Sequence, residues 1–336
     1  DRGESLKKIL IVLLIGMSCF LITGCGKYDG KSFVKELSKK VNNSDSYNLN
    51  GVLEIRNNEE TYSYDVNVSY KKENNFKVSL KNKINNYEQI ILRNSEGIYV
   101  LTPSLNKSFK FQSEWPYNSS QTYLLQTLLK DIENDEEYKF EQTDNGYMIE
   151  TKANYSANKD LSTQKLYFDK NKTLNKVEVF DNSGNLKITM NIEKIEYNKN
   201  FDDNDFKLNS NMNSSTSKQQ VDKTIDQVIY PMYMPQNTHL SSENKVSKEN
   251  GERIIMTFSG DSSFMLIQET ANISDKNSVV SVNGEPYMLI DTIGNVTDNS
   301  VEWISNGIEY YLLSDKLTKD ELLSVAKSLS VMPVGK

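Results

Sequence analysis

The sequence predicts an α+β protein, mainly antiparallel β: a curved half-barrel of about eleven strands with helices on its concave face, followed by a smaller C-terminal α+β domain. Three observations predict it. Tyr62, Tyr64, Val66, Val68 and Tyr70 alternate strictly with Thr61, Ser63, Asp65, Asn67 and Ser69, the period of a half-buried strand. Similar segments recur at short intervals, separated by turn signals such as Asp144-Asn145-Gly146 and Asn182-Ser183-Gly184, so consecutive strands pair as hairpins. Residues 209–220 carry a single apolar side chain, Met212, and read as a break between two folded parts. The expected division is a signal peptide at 1–24, the half-barrel at 25–208, a linker at 209–228 and the small domain at 229–336.

In chain order, Arg2, Lys7 and Lys8 precede an apolar run, Ile9 to Phe20, that is too short for the roughly 20 apolar residues of a membrane span, so it reads as a signal peptide. Ile22-Thr23-Gly24-Cys25 then matches the lipobox of bacterial lipoproteins. Cleavage before Cys25 and acylation of its sulfur, palmitate included, are expected; a core helix ending at Gly24-Cys25 is the alternative. Cys19 would leave with the signal and Cys25 would be consumed, so no thiol would remain for a disulfide, a metal site or a nucleophile. The formal charge is −7, and −8 once residues 1–24, with two carboxylates and three cations, are removed. An acidic body argues against nucleic acid. It also gives no pull toward anionic lipid, so acyl chains must supply attachment to the cell membrane.

Phe33, Val34, Leu37 and Val41 fall at helical spacing, with Asp29 or Ser32 available as the cap. Strands are expected at 49–56, 62–70, 76–80, 87–93, 97–102, 107–112, 138–142, 146–151, 164–168, 176–181 and 186–192. A helix over Ser120–Ile132, capped by Ser119 or Ser120, carries Tyr123, Leu124, Leu125, Leu128, Leu129 and Ile132 and needs the sheet to cover its apolar stripe. A twisted sheet of about ten strands curls, and its concave face accepts such helices. Beyond the linker, strands are expected at 252–259, 263–269, 278–282, 286–292, 300–305 and 308–313. Thr318 and Glu321 then form a capping box ahead of Leu322, Leu323, Val325, Ala326 and Leu329.

Little in the chain suggests catalysis. His239, the sole histidine, sits in a polar stretch after two prolines and reads as solvated loop. Without a second histidine or a thiol, neither a Ser-His or Cys-His pair nor a zinc site can be assembled. Asp169-Lys170-Asn171 opens like a calcium loop, but Leu174 and Phe180 stand where the glycine and the bidentate glutamate belong. Asp202-Asp203-Asn204-Asp205 reads as a solvated turn, and the run from Asp131 to Glu137 as a helix end that could also face a basic partner. No cofactor, metal or catalytic residue is expected. The aromatic content, 19 Tyr and 12 Phe, supplies either core or an apolar groove.

Gly97-Ile-Tyr-Val-Leu-Thr-Pro103, Phe109-Lys-Phe111 and Trp115-Pro-Tyr-Asn-Ser-Ser-Gln-Thr-Tyr-Leu124 resemble the lipoprotein-carrier superfamily typified by LolA, in the YdcC- and GerS-like form found in spore-forming Firmicutes. The tail, from Tyr230-Pro231 to Leu317–Leu329, is similar to a small domain of unknown function in Gram-positive membrane-associated proteins. The resemblance implies an incomplete barrel, a place in sporulation or germination at the outer face of the cell membrane or in the forespore envelope, and no enzyme activity. A tether at Cys25 argues against shuttling. The expected function is therefore to bind and position a cell-envelope protein, a cortex-modifying amidase being one partner the resemblance suggests. An RseB-like regulator of an anti-sigma factor and a lipid or acyl-chain binder are the alternatives. Trp115, Tyr123, Leu124 and Leu128 are the candidate groove or partner contacts.

Overall fold

The computed structural model describes residues 29–57, 60–213, 224–249, 251–272 and 278–331. The expected signal peptide, the lipidation site Cys25 and residues 214–223 of the expected linker lie outside them. Helix α1 (Gly30–Asn43) starts at Asp29, whose carboxylate accepts the Ser32 N–H at 2.7 Å. Strands β1 (Ser46–Asn57), β2 (Glu60–Lys71), β3 (Asn75–Asn82), β4 (Glu88–Asn94), β5 (Gly97–Thr102) and β6 (Lys107–Phe111) run outward as an antiparallel meander. Residues 112–138 leave the sheet and carry helix α2 (Leu125–Asn134). Strands β7 (Lys139–Thr143), β8 (Gly146–Lys152), β9 (Leu161–Asp169), β10 (Leu174–Asp181) and β11 (Leu186–Tyr197) then return, placing β11 beside β1 in mid-sheet. Residues 46–197 thus supply eleven strands of an open, curved sheet that ends at β7 on one side.

Alternation makes one continuous apolar row across these strands. Phe109 faces Val100, then Ile91, Val78, Val68 and Leu49 in register; four residues along β1, beyond Gly51, Leu53 faces Met190, then Val177, Leu166, Ile149 and Phe140. The β1–β11 register shifts between Asn50 and Gly51, where a Cβ would fall 2.1 Å from the Asn191 carbonyl oxygen, so the approach requires glycine. Both helices cover this row. Phe33 of α1 lies 5.3, 5.0 and 4.9 Å from the rings of Phe140, Tyr147 and Phe168, and Leu125, Leu128, Leu129 and Ile132 of α2 are buried in the same core. With Leu128 only 2% exposed, Leu128→Ala should lower stability by about 2–5 kcal/mol in urea denaturation. A loss below about 1 kcal/mol would remove α2 from the core.

The start of α2 differs from the expectation. Neither Ser119 nor Ser120 caps it; the helix begins at Leu125 with no side-chain cap. Ser120 is engaged elsewhere, its N–H donating to the Asn154 carbonyl at 2.8 Å and its hydroxyl to Asp131 at 2.7 Å, while the Thr127 hydroxyl accepts the Gln121 N–H at 3.2 Å. Tertiary partners therefore outcompete a local cap, and Tyr123 and Leu124 precede the helix instead of lying in it.

The outer face is covered too. After β11, a 3₁₀ turn (Asp203–Phe206) and the short helix α3 (Leu208–Met212) fold back so that Phe206 and Met212 bury against Ile90, Leu92, Tyr99 and Leu101. Met212 thus packs onto the half-barrel although it falls in the stretch expected to be linker. The Asp202–Asp205 cluster is a capping box: Asp202 accepts the Asn204 N–H, and Asp205 the Asp202 N–H.

The C-terminal part adds β12 (Ile229–Pro231), β13 (Thr238–Lys248), β14 (Gly251–Gly260), β15 (Phe264–Thr270), β16 (Ser278–Val282), β17 (Glu285–Met288), β18 (Ile293–Val296), β19 (Ser300–Ser305), β20 (Ile308–Leu313) and β21 (Leu329–Val331). Seven of these form an antiparallel sheet in the order β13-β14-β15-β20-β19-β18-β17, covered by helix α4 (Lys319–Lys327), whose Thr318–Glu321 capping box is present. The polar stretch around His239 is strand, not loop: β13 pairs with β14 along its length as an exposed edge. The single strand expected at 286–292 is two, β17 and β18, joined by a turn in which the Leu289 N–H meets the Thr292 carbonyl at 2.9 Å. Strand β16 leaves this sheet altogether and pairs in parallel with β6, becoming the twelfth strand of the half-barrel.

Candidate functional site

The two sheets meet at the half-barrel rim where β2, β4 and β6 begin and at the segment 156–158. Gln89, 5% exposed on β4, accepts both the Thr292 hydroxyl at 3.0 Å and the Ile293 N–H at 2.7 Å with one oxygen, and the Tyr64 hydroxyl donates to the Ile290 carbonyl. Lys107 and Glu309 pair at 2.7 Å with side chains 13% and 8% exposed. The Ser156 hydroxyl donates to Glu285 at 2.6 Å, and Tyr287 accepts from Asn158 at 3.2 Å and from Lys327 at 3.0 Å. These contacts tie the two parts together around a cleft of about 1230 Å³, which Ser156, Asn158, Glu285, Tyr287 and Lys327 themselves line.

Leu53, Ile55 and Tyr62 of the first hairpin form one wall of the cleft, and Tyr287, Trp303 and Tyr310 of the C-terminal sheet form the other. The segments 115–123 and 155–161 contribute the floor residues Trp115, Asn118 and Tyr155. Trp303 and Tyr310 stack at 4.9 Å with planes 9° apart, a rigid wall. Asp291 also lines the cleft; burial raises its carboxyl above the ordinary range, against a hydrogen bond from Ser305. Burial likewise raises the hydroxyls of Tyr62, Tyr64 and Tyr310, with the Asp291 charge adding to each, so these tyrosines stay neutral donors. Among the described residues, no group of three His, Cys, Asp or Glu could hold a metal ion.

Of the residues singled out from sequence, Trp115 and Tyr123 line this cleft, whereas Leu124 and Leu128, 0% and 2% exposed, belong to the core behind it. Trp115 is itself 1% exposed. Asn118, Tyr155 and Asp291 carry no signal in the sequence, because each stands in an irregular segment and meets the others only through the packing of the two sheets.

A smaller pocket of about 200 Å³ beside α2 explains part of the acidic run. Asp135 turns inward, 6% exposed, and accepts the Thr151 hydroxyl and the Lys152 N–H, each at 2.9 Å. One oxygen of Asp131 accepts from Ser120 and from Gln164, both at 2.7 Å. Burial pushes the Asp131 carboxyl up to about 6, the two donors pulling it back. Its folded value lies above its ordinary 3.8, so the folded state holds the extra proton and its stabilising effect is lost as pH rises through about 6. Asp131→Asn leaves an oxygen for both donors and cannot ionise. It should raise stability at pH 7.5 by about 1–3 kcal/mol and flatten the decline between about pH 4 and 6. A less stable variant at pH 7.5 would contradict the burial penalty.

An open, curved, mainly antiparallel sheet with α1 and α2 on one face and α3 on the other, joined to a second sheet across a cleft, defines an α+β half-barrel protein. Residues 6–206 match the family described as Sporulation protein YdcC-like, and the chain belongs to that family. It is 39% identical over 333 residues to Sporulation protein YdcC of Bacillus subtilis (strain 168), covering 97% of this chain and 98% of that protein. Among solved structures, it is similar to a LolA superfamily protein, NE2245, from Nitrosomonas europaea, at 14% identity and a TM-score of 0.30 over 53% of this chain and 97% of that one. It is also similar to a chain of the CwlD amidase–GerS lipoprotein complex from Clostridioides difficile, at 18% identity and a TM-score of 0.24 over 52% of this chain and 99% of that one.

Proposed function

We propose that this is a non-catalytic lipoprotein, cut before Cys25, acylated there and held at the extracytoplasmic face of the cell membrane or forespore envelope, where it binds and positions a cell-envelope protein during sporulation or germination. The observation that carries this reading is the identity with a sporulation protein across nearly the whole of both chains. It spans both sheets, so the relative shares the parts that form the cleft. The lipobox Ile22–Cys25 and the acidic body support an acyl anchor as the means of attachment. A cortex-modifying amidase, the partner class suggested by the sequence resemblance, is the first to assay.

Purification from sporulating cells, comparing wild type with Cys25→Ser, tests the reading. The wild type should fractionate with membranes, carry acyl chains on the peptide beginning at Cys25 and retain an envelope protein; Cys25→Ser should be unacylated and released. Acylation surviving the substitution, or wild-type protein without an envelope partner, would overturn it.

A further inference from the structure

Three polar atoms on residues that line the cleft between the sheets have no hydrogen-bond partner among the described residues: Trp115 Nε1, Asn118 Oδ1 and the Tyr155 hydroxyl. Trp115 and Tyr155 are 1% and 8% exposed, so bulk water does not compensate them. A buried polar group left unpaired costs about 1–3 kcal/mol, and native structures leave few of them. The set is mixed in kind. The indole nitrogen only donates, the amide oxygen only accepts and the phenol does either.

We propose that the cleft binds an extended, uncharged peptide segment of the partner, whose backbone carbonyl and N–H groups pair with Trp115 Nε1, Asn118 Oδ1 and the Tyr155 hydroxyl. The proposal rests on the reading of the protein as one that binds an envelope protein, and it names the site and the chemistry. In an extended chain the N–H and C=O of a single residue point to the same side, offering one donor and one acceptor together, the complement of the amide oxygen and the indole. Its apolar side chains have Leu53, Ile55, Ile188 and Leu289 to pack against.

Charge selects against other occupants. The lining holds three cations, Arg56, Lys187 and Lys327, and four carboxylates, Glu60, Asp160, Glu285 and Asp291. The cations are engaged: Arg56 with Glu54 at 3.3 Å, Lys187 with Asp181 at 3.3 Å, and Lys327 with the Tyr287 hydroxyl at 3.0 Å. A phosphate headgroup therefore meets more negative charge than positive. An acyl chain would leave the three polar atoms unpaired and bring hydrocarbon against carboxylates. The volume of about 1230 Å³ exceeds the roughly 300–1,000 Å³ of small-molecule pockets, as a chain segment requires.

The chain contains two tryptophans, Trp115 and Trp303, and both line the cleft, so intrinsic fluorescence reports its occupancy. Full-length Cys25→Ser protein would be used to select from a displayed library of random twelve-residue peptides. Enriched peptides would then be titrated by fluorescence beside N-acetylglucosamine hexamer and phosphatidylglycerol vesicles. Enrichment of peptides that alternate apolar and uncharged polar residues is expected, with saturable fluorescence changes. Asn118→Ala and Tyr155→Phe should each weaken binding about tenfold without lowering the melting temperature, which the loss of an unpaired buried hydroxyl in Tyr155→Phe should raise. No enrichment, peptides that bind both variants as well as wild type, or saturation by the sugar or the vesicles instead would overturn the proposal. If an envelope protein is retained in cells and both variants retain it equally, the cleft assignment fails while the envelope-binding function stands.

Discussion

Replacing Lys107 by Ala is expected to destabilise the protein by about 3–5 kcal/mol, because it strands the Glu309 carboxylate in a site from which water is nearly excluded. Lys107 opens β6 of the half-barrel and Glu309 lies in β20 of the C-terminal sheet, so the pair at 2.7 Å ties the two together. Glu309 retains the Asn272 N–H at 3.3 Å and the Tyr311 hydroxyl at 2.8 Å, which orient the carboxylate without neutralising it. A double variant, Lys107→Met with Glu309→Leu, removes both charges and should recover most of the loss. Urea unfolding of the wild type, Lys107→Ala and the double variant measures this. If the double variant is no more stable than Lys107→Ala, the cost lies in lost packing around the lysine stem and not in an unpaired charge.

Trp115→Ala should cost a similar amount, about 3–5 kcal/mol. The ring is 1% exposed, meets Phe76 edge-on at 6.1 Å and belongs to the same core as the helices, while its nitrogen reaches no partner among the described residues. Trp115→Phe, which keeps most of the apolar ring and removes the unpaired donor, should recover the greater part of that loss in the free protein. Comparable melting temperatures for Trp115→Phe and Trp115→Ala would show that ring volume is not what the site requires.

The half-barrel was legible where its strands are buried on one face and alternate with period two, as in β3; β5, Gly97–Thr102, is buried on both faces and was marked instead by its apolar run and its flanking turns. Where burial is two-sided or absent, the alternation is lost, although the strand expected at 87–93 is present as β4. Ile90-Ile91-Leu92 is buried on both faces because residues 201–212 return over it, and the polar strand β13 is exposed on both. The site was less legible. Aromatic weight pointed to Trp115 and Tyr123, yet the groups with unmet hydrogen bonds include Asn118 and Tyr155, in turns that only the second sheet turns into a floor. Nothing local marks β16 as belonging to the first sheet, since parallel pairing with β6 is set by the path of the chain through the C-terminal part.

Photocrosslinking in sporulating cells tests most directly whether the cleft is where the protein meets its partner. Benzoylphenylalanine would replace Tyr62, on the cleft wall, or Lys194, exposed on β11 away from it. The position-62 probe should give one dominant adduct with an envelope protein that the position-194 probe does not give, and Asn118→Ala should diminish it. Equal adducts from both positions, or an adduct from position 194 alone, would contradict a partner site between the two sheets.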